Sequence, residues 1–209
     1  MQNDPLLLLL LIAVSTCIIK LWRDDYRAAR AGRPAPRPLP GATRAPARAS
    51  VVAAAGALVL LAVETGGEHA LGLTAEQSRM TALFALYTLC AAFVEEIIFR
   101  GFIVIDKRGP AALWAGAAGA SFLFAALHPF LWTWTGGWPW SGGALEWNFG
   151  AKGWFSTACA FAGSLWFYAM RFAPLNPDRS LLPCFAGHCA KNLGVIGVKA
   201  AQGFLGGWW

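Results

Sequence analysis

Predominantly apolar stretches recur along the 209 residues at Leu6–Trp22, Val51–Val63 (extending toward Leu73), Thr81–Ile105, Pro110–Leu131, Gly153–Phe172 and Ser180–Gly206. Most approach the ~20 apolar residues that a helix needs to cross a bilayer. All six are predicted helices, because only helices and closed barrels satisfy the backbone in lipid. They are too long and continuous for the alternating ~10-residue strands of a barrel. Between the first two lies Arg23–Ser50, where Pro34, Pro36, Pro38, Pro40 and Pro46 predict an extended, non-helical segment. No internal repeat is visible. The expected fold is all-α: one integral membrane domain over residues 1–209, a polytopic bundle of about six transmembrane helices.

Composition supports this. The chain is 57% hydrophobic and 13% charged, about half the charge of a soluble domain, which disfavours disorder, a disulfide scaffold and a DNA-binding module. Five cysteines (Cys17, Cys90, Cys159, Cys184, Cys189) lie in apolar stretches without a metal-site spacing and read as small buried hydrophobes. No basic residue precedes Leu6, so the first stretch reads as a retained anchor rather than a cleaved signal.

The net charge of +6 is explained by topology. Arg23, Arg27, Arg30, Arg33, Arg37, Arg44 and Arg48 lie in the first connection, Lys107 and Arg108 in the third, Arg171 and Arg179 around the fifth. The alternate connections hold only Arg79 and Lys152. The positive-inside rule then makes 23–50 a cytoplasmic loop and places both termini outside, as in a bacterial inner membrane. Trp132, Trp134, Trp138, Trp140 and Trp147 mark an outer aromatic belt. Arg23–Ser50 lacks interleaved aromatics beyond Tyr26, so no nucleic-acid partner is expected; the lipid bilayer is the partner.

Ionisable groups inside a membrane helix cost at least ~2.5–3.5 kcal/mol each and are functional candidates by default. The third helix carries Glu95, Glu96 and Arg100. Adjacent helical residues diverge by about 100°, so the two glutamates are expected to face different targets. Glu96 and Arg100, at i and i+4, form a supporting ion pair and leave Glu95 for a polar cavity. The fourth helix ends in Phe124–His128, and the sixth places His188 and Asn192 on one face. Singly, each of these has a bland reading as helix glue; together they suggest a site. Counted from the Gly109–Pro110 turn, Glu95 and His128 lie at about 21 and 27 Å, facing each other across an antiparallel hairpin. A carboxylate and an imidazole activate water; a second imidazole and an amide hold an oxyanion. The implied chemistry is peptide-bond hydrolysis. No serine or cysteine nucleophile motif accompanies these residues.

The ordered motifs Glu95-Glu96-x-x-x-Arg100, Phe124-x-x-x-His128 and His188-x-x-x-Asn192 resemble those of the CAAX prenyl endopeptidase (CPBP, or Rce1-like) family of intramembrane proteases, over about Thr81 to Gly197, making 81–197 the catalytic core. The resemblance implies Glu95 with His128 as the water-activating pair, His188 with Asn192 as oxyanion stabilisers, Glu96 and Arg100 in support, and no cofactor. A zinc alternative would use Glu95, His128 and His188, but the H-E-x-x-H motif is absent. The expected partner is a membrane-anchored protein or peptide substrate. Depth from the turn places cleavage near the outer face, as in a C-terminal sorting protease. Prenyl-protein processing and bacteriocin immunity are alternatives that the resemblance leaves open. A non-enzymatic scaffold or transporter is the rival outside the family; the duplicated halves or paired broken helices that a transporter tends to show are not apparent. Lys191, Lys199 and Glu64 have no assigned role.

Overall fold

The computed structural model describes residues 4–136 and 142–209; Trp138 and Trp140 of the aromatic group lie outside the described residues. The apolar stretches form α1 (Pro5–Arg30), α2 (Ala47–Ala70), α3 (Ala82–Glu96, continued by a π-helical turn Ile97–Phe102), α4 (Pro110–Leu127), α5 (Ala151–Phe172) and α6 (Leu182–Ala201). Four of these, α1, α2, α3 with its π turn, and α4, are long and apolar enough to span a membrane. The protein is an all-α membrane helix bundle.

Several boundaries differ from expectation for local reasons. α1 runs eight residues into the segment expected to be extended, because its prolines begin only at Pro34 and Ala28, Ala29 and the arginines favour helix. α4 stops at Leu127, not Leu131: His128 precedes Pro129 and adopts extended backbone (φ −73°, ψ 133°). α6 begins at Leu182 with Pro183 in its first turn, where the missing N–H costs nothing. The fourth connection contains a hairpin of β1 (Trp132–Thr135) and β2 (Ala144–Trp147), pairing Trp132 with Trp147.

α6 packs on α2, α3 and α5, α1 on α3, and α4 chiefly on α5. α4 meets the π turn of α3 through the Phe99 and Phe124 rings, edge to face at 5.1 Å. Ile103–Gly109 leaves the helix and lies against α4, so that a Cβ on Gly116 would lie 3.2 Å from Ile105. Gly187 permits the close approach of α6 to α2: a Cβ there would stand 3.1 Å from the Ala53 carbonyl oxygen. The C-terminal tail returns to α3, where Ala82 and Leu83 donate to the carbonyls of Gly207 and Trp208 (3.1 and 3.0 Å), satisfying N–H groups that a helix start leaves open.

The three basic connections meet at one end of the bundle. Thr43 donates to the Asp178 carbonyl (2.9 Å), Ser180 to the Thr43 carbonyl (2.7 Å), and Arg179 pairs with Asp106 (2.9 Å). The charge pattern's grouping of these segments on one face is thus what the tertiary structure displays.

Candidate active site

Glu96 and Arg100 are both fully buried, with Arg100 Nη1 3.1 Å from Glu96 Oε1. Two such charges are tolerable in an apolar bundle only when paired and further satisfied. Arg100 Nη2 donates to Ser164 Oγ of α5 (2.7 Å), whose hydroxyl donates to Ser121 Oγ of α4 (2.9 Å). Its guanidinium lies 4.7, 5.3 and 5.2 Å from the ring centroids of Phe124, Phe167 and Tyr168, geometry suited to cation–π attraction. Arg100 therefore joins α3, α4 and α5. The π turn carrying it frees carbonyls from the regular ladder; Tyr168 Oη donates its hydrogen between those of Phe99 and Ile103. Such turns recur at functional sites.

Glu96 Oε1 also lies 2.7 Å from His188 Nδ1, while His188 Nε2 lies 3.7 Å from Glu95 Oε2. The expectation that the two glutamates face different targets is overturned. Their side chains do diverge, but an imidazole offers a nitrogen on each side of its ring and sits between them. The Glu96 oxygen, already facing the Arg100 guanidinium, accepts from Nδ1, and the ring turns Nε2 toward Glu95. Glu95 keeps about a third of its side-chain surface exposed, whereas Glu96 keeps none.

His128 stands at the end of α4, its Nδ1 donating to the Phe124 carbonyl (2.8 Å) and its ring stacked on Phe130. The Phe124 ring touches both imidazoles, with centroids 4.5 Å from His128 and 6.2 Å from His188. Asn192 shares the His188 face as expected, and its Nδ2 donates to the Thr88 carbonyl of α3 (3.0 Å). The structure thus joins Glu95, Glu96, Arg100 and His188 through direct polar contacts, sets His128 across Phe124, and gives Asn192 an interhelical bond. Sequence reasoning missed Ser121, Ser164 and Tyr168; small hydroxyls in apolar helices carry no spacing signal.

Of the residues of the zinc alternative, both imidazoles commit Nδ1 to protein acceptors and leave Nε2 as the free nitrogen. Among the described residues no group of three His, Cys, Asp or Glu side chains stands close enough to hold a metal ion.

The depth of the site also differs from expectation. Glu95 lies seven residues before the end of the π turn and His188 six after the start of α6, about 10 Å from the end bearing Arg171 and Arg179. By these counts the cluster is nearer that basic end; residues 103–109 are not helical, so counting from Gly109 overstates the depth of Glu95. His128, by contrast, closes the far end of α4.

Taken together, the helices and their buried carboxylate–imidazole cluster define a membrane helix bundle with a polar site inside it. Residues 77–194 match the Rce1-like type II CAAX prenyl endopeptidases, and the chain belongs to that family of intramembrane endopeptidases. No curated protein and no solved structure matches the chain.

Proposed function

We propose that this protein hydrolyses a peptide bond near the C-terminal membrane segment of a protein substrate, using water activated by Glu95. The observation that carries this is the partly exposed Glu95 carboxylate, 3.7 Å from the Nε2 that Glu96 orients. One water can reach both groups within hydrogen-bond distance. In the reaction, the water oxygen attacks the scissile carbonyl carbon while Glu95 takes its proton. The carbonyl becomes an oxyanion, the C–N bond breaks, and the proton passes to the departing nitrogen, leaving a carboxylic acid and an amine. His188 holds the water against Glu95, and His128, across Phe124, serves the leaving group or oxyanion. Asn192 acts as a positioning residue through its bond to Thr88.

No metal takes part in this reading. Under the positive-inside rule the cluster lies nearer the cytosol, which favours a tail reached from that side, as in prenyl-protein processing. The position of His128 at the far end of α4 favours the second reading, cleavage near the outer face in C-terminal sorting. Comparative proteomics of membrane-protein C-termini in cells carrying the wild type or Glu95→Gln tests both. Trimmed tails present only with the wild type are expected, and their position relative to the anchor identifies the face. Identical C-termini in the two strains would sink the assignment.

A further inference from the structure

The charges without a role in this chemistry form a second polar series. Lys191, three residues past His188 on α6, pairs with Glu64 of α2 at 2.9 Å. Four residues on, buried Glu68 meets Lys152 of α5 and Gln77. Gln77 Oε1 accepts from Lys199 Nζ (3.0 Å), which also donates to the Ser78 carbonyl (2.6 Å). On α5, Lys191 Nζ lies 3.6 Å from where a Cβ on Gly163 would stand, beside Ser164 of the Arg100 network. The series therefore begins next to the site, is enclosed by α2, α5 and α6, and ends at the face opposite Arg171 and Arg179.

Packing alone does not call for these groups, since apolar residues often replace a buried ion pair without loss of stability. Ionisable residues within a membrane usually line water-filled cavities or relays. Lys191, Glu64 and Lys152 keep 14, 19 and 17% of their side-chain surface exposed. Hydrolysis consumes one water per bond, and a peptide laid across Glu95 fills the entrance by which it came.

We propose that Glu64–Lys191 and the Glu68–Lys152–Gln77–Lys199 cluster form the path by which water reaches the Glu95–His188 site from the face opposite the basic connections. The inference rests on the endopeptidase reading above, but its main test does not require activity. Cys159 is a native reporter: it is partly exposed on α5, one turn before Gly163, where Lys191 Nζ approaches that helix. Full-length protein in sealed, oriented liposomes is treated from either side with a charged, membrane-impermeant methanethiosulfonate, and labelling is mapped by mass spectrometry. Cys159 is expected to label from the Lys152 face, at least tenfold more slowly in E64L/K191L and within about twofold of wild type in E64Q. Labelling only from the basic face, absence of labelling even at alkaline pH where the thiolate forms, or an unchanged rate in E64L/K191L would overturn the path. Labelled wild-type enzyme is also expected to hydrolyse peptide about tenfold more slowly with KM unchanged, which keeps the test decisive if the double variant misfolds. An unchanged rate after full labelling would count against the proposal. A Cys159 that labels as expected in a protein with no peptidase activity would overturn the endopeptidase reading and leave the path standing.

Discussion

His188 Nδ1 lies 2.7 Å from Glu96 Oε1, and the same carboxylate oxygen is 3.1 Å from Arg100 Nη1. One oxygen thus orients the imidazole and neutralises the guanidinium, so its loss affects stability and chemistry together. Glu96→Gln is expected to destabilise the bundle by about 3–5 kcal/mol, the range for breaking a buried pair, read as a lowered thermal midpoint in detergent. Glu95→Gln is expected to leave that midpoint near wild type while lowering kcat about 10²–10⁴-fold, the contribution of a general base. Equal destabilisation by the two variants would contradict this division.

Ser164 is the bridge between Arg100 and α4. Ser164→Ala strands a buried guanidinium N–H and is expected to cost about 1–3 kcal/mol. Ser121→Ala leaves the Arg100–Ser164 bond in place and is expected to cost less. Calorimetry of the two variants checks the order.

Asn192 separates bracing from direct catalysis. As a brace between α6 and α3, it is worth about 0.6 kcal/mol, the measured average for interhelical hydrogen bonds in membranes, and at most about 1.7 kcal/mol. Asn192→Ala is expected to lower kcat by about tenfold. A loss of 10²–10³-fold, typical of a missing oxyanion donor, would return Asn192 to the stabilising role that the family resemblance implied.

A cysteine at the exposed position Arg33 reports orientation. In intact bacterial cells, Arg33→Cys is expected to resist an impermeant maleimide until the inner membrane is opened, placing the basic end in the cytosol. Immediate labelling would invert the topology and favour cleavage at the outer face.

Chelation tests the metal-free reading. Purified enzyme treated with EDTA or phenanthroline is expected to keep its rate. Lasting loss restored by zinc would require Glu95, His128 and His188 to move together into a ligand set.

The existence of six helices was legible because lipid imposes one rule on the backbone and the apolar runs obey it. Their ends were less legible. Pro129 stopped α4 early, while α1 continued to Arg30 because no proline opposed it. The ion pair of Glu96 with Arg100 followed from i, i+4 spacing. The meeting of both glutamates at His188 did not, since it depends on α6 lying against α3 and on the two-sidedness of an imidazole. Depth was misread because residue counts assume a straight helix, and Ile103–Gly109 is not one.

By itself the sequence determined a membrane bundle, the grouping of its basic connections and the few polar residues worth suspecting. All of these follow from what hydrocarbon tolerates, which each segment meets on its own. Only the tertiary structure decided which nitrogen faces which carboxylate, that Ser164 and Ser121 carry the arginine's surplus hydrogen bonds, and how far Glu95 lies from either face. Those relations depend on distances between helices far apart in sequence, and side-chain spacing along one helix contains no information about the next.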